Sequence, residues 1–292
     1  MTDGYLERLA ARSAAVGSVL CLGLDPDPAA LPDGFSADLA GIEAFTMLIL
    51  QAAGPYAAAV KPNLAFFESF GADGMAALER IRGRIPAGLP VIADAKRGDI
   101  GTTAAHQAVA LFDRLGADAI TVSPYLGGEA IAPLLAREDR FAYVLCRTSN
   151  PGAAELQGLI VAADDALPAP AEPLYIRVAR RAVDWGLPGT VGLVVGATAP
   201  EELRAIRTVA PGLAFLVPGV GAQGGGLEPV LAAGPSTAAP AGMRPGRGLV
   251  VNVSRGIAAA ALGGTRSDRP QDPGERLAEA ARDWAERLPV LP

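Results

Sequence analysis

The chain has 292 residues, half of them hydrophobic, which is enough for a sizeable core and excludes a disordered chain. Its formal net charge of -6 argues against a general nucleic-acid binder. No apolar run approaches the ~20 residues of a membrane span, Met1–Ala15 is too polar for a secretory signal, and the two cysteines and single histidine, His106, offer neither a disulfide framework nor a His-based zinc site, so a soluble cytoplasmic protein is expected.

Eight short apolar runs follow in chain order: Ser18–Leu24, Ala57–Lys61, Pro90–Ala93, Ala119–Ser123, Phe141–Cys146, Val191–Gly196, Ala214–Val217 and Leu249–Val253. They are continuous rather than alternating, as expected of parallel strands buried on both faces. Helical patterns lie between and after them, at Gly74–Arg84, Thr102–Leu115, Leu174–Trp185, Pro200–Val209 and Gly274–Arg287. The alternation predicts an α/β protein, a (β/α)8 TIM barrel with a parallel eight-stranded core, as a single domain over 1–292. A doubly wound open sheet is the alternative. Ala162–Pro173, rich in Ala and Pro, reads as a loop leading into a helix. Gly234–Gly248, rich in Gly and Pro, reads as a mobile surface loop.

A barrel places its chemistry at the C-terminal ends of its strands. The first run ends in Gly23-Leu24-Asp25-Pro26, the second in Lys61, and the third in Asp94 and Lys96. These last two share one face of an extended segment. Asp99 follows the turn at Gly98. The fourth run ends at Ser123-Pro124-Tyr125, the fifth near Thr148-Ser149-Asn150. Lys61 and Lys96 are the only lysines, against twenty-three arginines. A GC-rich codon bias explains their scarcity but not their placement beside aspartates. An ammonium is a compact point charge whose proton can be given away, unlike a guanidinium.

The last two runs carry different chemistry. The seventh leads into Pro218-Gly219-Val220-Gly221-Ala222-Gln223-Gly224-Gly225-Gly226, and the eighth into Asn252-Val253-Ser254-Arg255-Gly256-Ile257. Glycines at 219, 221 and 224 let backbone N–H groups approach an anion. Arg255 can add a bidentate contact to phosphate oxygens. The pattern predicts a phosphate grip on one side of the barrel mouth and a Lys/Asp array on the other. Ser149 and Gln223 are neutral groups able to read a heterocycle or a phosphate. There is no metal-ligand spacing and no nucleotide-cofactor fingerprint, so neither metal nor cofactor is expected.

These motifs resemble the orotidine 5′-monophosphate decarboxylase family. Asp94-Ala95-Lys96-Arg97-Gly98-Asp99-Ile100-Gly101-Thr102-Thr103 matches its Asp-x-Lys-x-x-Asp-Ile…Thr pattern. Leu24-Asp25-Pro26, Val60-Lys61-Pro62, Thr148-Ser149-Asn150-Pro151, Pro218–Gly225 and Ser254-Arg255-Gly256-Ile257 continue it in consistent order. Lys61-Pro62-Asn63-Leu64-Ala65-Phe66-Phe67-Glu68 is similar to the longer bacterial branch found in mycobacteria. A departure is Gly226-Leu227, where relatives often carry a polar residue. The resemblance implies cofactor-free decarboxylation of orotidine 5′-monophosphate in a homodimer. Lys61, Asp94 and Lys96 would come from one chain, and Asp99 and Thr103 from its partner. Asp25 would hold the ribose, Ser149 the pyrimidine edge, Gln223 and Arg255 the phosphate, and Lys96 would protonate C6. Two rival readings are a Mg2+-dependent sugar-phosphate decarboxylase or aldolase sharing the Asp-x-Lys-x-x-Asp core, and a catalytically dead nucleotide-binding barrel.

Overall fold

The computed structural model describes residues 4–163, 169–221, 223–238, 247–262 and 272–291. All eight apolar runs form strands: β1 Leu20–Leu24, β2 Ala59–Pro62, β3 Ile92–Arg97, β4 Ala119–Val122, β5 Phe141–Arg147, β6 Val191–Val195, β7 Ala214–Val217 and β8 Leu249–Val253. Each pairs in parallel with its sequence neighbours, and β1 pairs with β8 through Leu20↔Val251 and Cys21↔Asn252. The seam between β2 and β3 is held by parallel bridges at Val60↔Val91 and Asn63↔Asp94. The sheet therefore closes into a (β/α)8 barrel, not the open doubly wound sheet.

Two apolar layers flank the barrel wall. The outer layer packs strand residues such as Leu22, Val60 and Val144 against helix residues such as Ile42, Leu203 and Leu277. The inner layer is closed at the N-terminal end by the helix Tyr5–Val16, whose Tyr5, Leu6 and Leu9 pack against Ile92, Phe141, Tyr143 and Val250. Burying a Leu or Phe side chain in this way contributes roughly 1.5–3 kcal/mol. This helix and Leu39–Ala53 add to those expected from the sequence. Asp38 caps the second, accepting a 3.0 Å bond from Gly41 N, and Asp272 caps Pro273–Arg287, accepting one of 2.9 Å from Glu275 N.

The helices expected at 74–84, 102–115, 174–185, 200–209 and 274–287 form as Gly71–Arg82, Gly101–Ala108, Leu174–Ala182, Pro200–Val209 and Pro273–Arg287. The second continues as a wider π-type turn over Val109–Arg114. The segment Ala162–Pro173, read as a loop leading into a helix, ends in a short strand. Glu172–Pro173 pairs antiparallel with Ile160–Val161, and residues 164–168 lie outside the described set. Of the Gly234–Gly248 segment, 239–246 also lie outside it. The described flanks are tied down by Ser236 N to Arg247 O (3.0 Å) and Thr237 N to Pro211 O (2.9 Å).

Candidate active site

The third strand runs past its apolar portion. The run rule stops at Ala93, where side chains cease to be uniformly apolar, yet the strand continues to Arg97. Between Ala93 and Arg97 its register slips against β4. Within the slip Lys96 takes a φ of 48°, the one left-handed non-glycine backbone among the described residues. Such a conformation costs ~1–3 kcal/mol and persists only where surroundings hold it. The result brings both Asp94 and Lys96 to the barrel mouth.

There they line a cavity of about 500 Å³ together with Asp25, Lys61, Ser149 and Gln223. Asp94 lies at its centre of charge. Its Oδ2 accepts a 2.6 Å bond from Lys61 Nζ and its Oδ1 a 2.6 Å bond from Lys96 Nζ. Thr121 Oγ1 donates a further 2.9 Å bond to Oδ1. Lys61 arrives from β2, where Gly23↔Lys61 sets its height, and its side chain is buried. Burial alone would raise the Asp94 pKa, but the charges and hydrogen bonds of Lys61 and Lys96 outweigh it and hold the carboxyl well below the usual range. Burial would likewise lower Lys61, and the carboxylates of Asp94 and Asp25 outweigh it, so its ammonium is raised. Asp25 Oδ1 is buried without a protein partner. Cys21, below this layer, is pushed up to about 12 by burial and is no nucleophile.

Ser149 is placed by a different device. After β5 the chain turns, and Gln157 clamps the turn. Its Oε1 accepts from Thr148 N (2.9 Å) and its Nε2 donates to Thr148 Oγ1 (2.8 Å). Thr148 Oγ1 in turn donates to Asn150 Oδ1 at 2.6 Å. Gly219, at φ 98°, lets the loops after β5 and β7 meet: a Cβ there would lie 2.9 Å from Ser149 Cβ and 3.0 Å from Gln223 Oε1. Ser149 and Gln223 thus face the cavity side by side.

The other expected residues are not among those lining this cavity. Gly219, Gly221 and Gly224 hold left-handed turns at its rim, with φ of 98°, 72° and 83°. Arg255 opens the short helix Arg255–Ala258, exposed, and has no carboxylate partner among the described residues. Asp99 accepts a 2.7 Å bond from Ile100 N, and Thr103 is exposed on the helix that follows. Around them the loops after β3 and β4 leave Ile100, Tyr125 and Leu126 more than half exposed.

Among the polar residues lining the cavity, Thr121 and Gln157 were missed from sequence, and Asn252, quoted in the last motif, was given no role. Thr121 and Asn252 are lone polar residues inside apolar strand runs, a signal that was available. Asn252 Nδ2 donates to Ser254 Oγ at 3.2 Å and its buried Oδ1 has no protein partner. Gln157 sits on a four-residue helix and carries no such mark. Among the described residues no group of three His, Cys, Asp or Glu side chains could hold a metal ion. No helix among them is long and apolar enough to cross a membrane.

Comparison with known proteins adds to this geometry. The family model described as orotidine 5′-phosphate decarboxylase / HUMPS matches residues 18–266. A Roseiflexus castenholzii protein named orotidine 5′-phosphate decarboxylase is 48% identical over 272 residues, 93% of this chain and 90% of that one. A Thermomicrobium roseum protein of the same name is 46% identical over 286 residues, 97% and 93% of the two. Among solved structures, Leishmania donovani OMP decarboxylase aligns with TM-score 0.78 and 39% identity over 97% of both chains. Leishmania donovani UMP synthase aligns with TM-score 0.80 and 41% identity, the match covering 98% of this chain but 56% of that longer one.

Proposed function

The chain belongs to the orotidine 5′-phosphate decarboxylase / HUMPS family, and from that premise we propose that it converts orotidine 5′-monophosphate to UMP and CO2 without a cofactor. The observation that carries this reading is Asp94, whose two oxygens are each held at 2.6 Å by a lysine ammonium inside the cavity. Both carboxylate oxygens are thereby committed to cations of the protein itself, a donor set suited to fixed charge rather than to a sugar-phosphate-bound Mg2+.

In the proposed reaction the bond from C6 of the pyrimidine to the carboxylate carbon breaks. CO2 leaves, and the electron pair stays on C6. Lys96 Nζ then gives a proton to C6, forming UMP, and the neutral amine is reprotonated from solvent. A fixed ammonium stabilises the developing carbanion without reorganisation. Asp94, kept ionised, holds that ammonium charged and aimed. Lys61 fixes Asp94 and faces the ribose, which Asp25 also holds. Ser149 reads the pyrimidine edge. Gln223, Arg255 and the backbone at Gly219, Gly221 and Gly224 grip the phosphate, whose binding energy aligns the distant ring.

Asp99 and Thr103 complete the site from a second copy of the chain. Two observations support this: neither residue lines its own cavity, and the surrounding rim exposes Ile100, Tyr125 and Leu126, the apolar surface a homodimer would cover. The test is a spectrophotometric assay with orotidine 5′-monophosphate, with and without EDTA. Turnover to UMP that survives EDTA is expected. Inertness toward the nucleotide would overturn the reading, and abolition by EDTA would redirect it to a metal-dependent sugar-phosphate reaction.

A further inference from the structure

We propose that Thr121 is a positioning residue for the lysine that delivers the proton, acting through Asp94 and the backbone of β3; the proposal rests on the reading of Lys96 given above. From Ala93 to Arg97 the third strand advances four residues while β4 advances two, Ile120 to Val122. The excess residues cannot all keep ladder partners on β4, and the N–H groups of Ala95 and Lys96 point instead at one side chain. Thr121 Oγ1 accepts from Ala95 N at 3.0 Å and from Lys96 N at 2.9 Å, and donates to Asp94 Oδ1 at 2.9 Å. A hydroxyl has two acceptor lone pairs and one proton, so all three of its capacities are used. Thr121 is itself buried, 2% exposed, so water does not compete for these bonds.

The three bonds act on one geometric problem. Lys96 has a left-handed backbone, φ 48°, which a lysine does not adopt by preference. Two of the bonds hold the backbone of that bulge, and the third fixes the carboxylate oxygen that also receives Lys96 Nζ at 2.6 Å. The same hydroxyl therefore sets both where the Lys96 side chain begins and where its ammonium rests. Valine in its place has the shape but neither acceptor nor proton.

The test compares Thr121→Val and Thr121→Ser with the wild type and with Lys96→Ala, measuring kcat and KM for orotidine 5′-monophosphate, inhibition by UMP, and Tm. Thr121→Val should lower kcat by about tenfold or more, towards the ~100-fold loss that a 1 Å misplacement causes, with UMP inhibition kept. Thr121→Ser, which restores the hydroxyl, should recover most of kcat. A Thr121→Val protein with lowered Tm but unchanged kcat would reduce the residue to a structural one and overturn the proposal, as would failure of serine to rescue. Equal loss of kcat and of UMP inhibition would also overturn it, because the whole site would then have collapsed. If Thr121→Val does not fold, Thr121→Cys, a poor hydrogen-bond partner of serine's shape, carries the same expectation against Thr121→Ser. Full turnover in Lys96→Ala would remove the reading of Lys96 as proton donor and the proposal together. An inactive Lys96→Ala beside a fully active Thr121→Val would remove the proposal alone.

Discussion

Lys61 and Lys96 hold opposite oxygens of the Asp94 carboxylate, each at 2.6 Å, yet the two ammoniums are not equivalent. The Lys61 side chain is 5% exposed and that of Lys96 is 51% exposed. The first is a buried fixture of the barrel wall. The second stands at the cavity with room to meet a substrate. Lys96→Ala should therefore leave Asp94 paired with Lys61 and the fold intact, while turnover falls by the ~10²–10⁴ that a positioned proton donor contributes, or more. Inhibition by UMP should persist. Steady-state assays on orotidine 5′-monophosphate check this, and substantial residual turnover would end the assignment of Lys96 as donor.

Lys61→Met should act on stability. It leaves a buried carboxylate with one partner fewer, a loss of order 3 kcal/mol given the 3–5 typical of broken buried pairs. Its pH dependence follows from the two shifts. Asp94 is lowered, so its contribution is full above the ordinary carboxylate pKa of about 4 and is lost as pH falls through the lower folded value. Lys61 is raised, so its contribution is full below about 10.4 and is lost only as pH rises through its higher folded value. Denaturant unfolding should show a wide gap between wild type and variant at neutral pH, narrowing in acid below ~4. A gap of the same size in acid would mean the pair contributes nothing as a pair.

The barrel was legible because its strands are buried on both faces and so read as unbroken apolar runs. Ala214–Val217 and Leu249–Val253 come out with the same ends in sequence and structure. The rule failed where function interrupts it. β3 continues through Asp94, Lys96 and Arg97, which no hydrophobicity pattern marks as strand. The helix Tyr5–Val16 was passed over because its small alanines and three charges form no strong apolar run, although Tyr5, Leu6 and Leu9 share one face and plug the barrel. The charged residues that line the cavity, Asp25, Lys61, Asp94 and Lys96, were legible because strand ends concentrate them. Thr121 stands out as a polar residue in an apolar run, but the backbone groups it meets across a register slip leave no periodic trace, and Gln157 on its four-residue helix carries no mark at all.

Asp99 allows a test that separates one chain from two. If it serves the partner's site, Lys96→Ala and Asp99→Ala proteins should each be inactive alone and active when mixed under subunit exchange. A mixed dimer then holds one site with both defects and one with none. Random exchange makes half the dimers mixed, so about a quarter of wild-type sites should return, by the isologous symmetry of a two-fold dimer. If Asp99 instead served its own chain, every site in the mixed dimer would carry one defect and the mixture would stay inactive.

Arg207 offers a prediction remote from the cavity. It lies at the end of the helix Pro200–Val209, on the N-terminal side of β7, and is 5% exposed. No carboxylate among the described residues pairs with it. Its guanidinium instead donates to the carbonyls of Ala210 (2.8 Å), Leu213 (2.8 Å) and Gly234 (2.5 Å), with longer bonds of 3.3 Å to Pro211 and Ala233, and lies 3.5 Å above the Phe215 ring. Burial pulls its pKa down, yet a guanidinium stays charged at neutral pH. The planar fork thus serves as the solvation shell of two loops that would otherwise bury bare carbonyls. Arg207→Lys keeps the charge but has three donors on one atom and cannot span these acceptors. Each buried carbonyl left unmet costs ~1–3 kcal/mol, so Tm should fall by several degrees. Because the cavity is at the other end of the barrel, kcat of the folded variant should be unchanged. A lysine variant melting with the wild type would show that these loops stand without the fork.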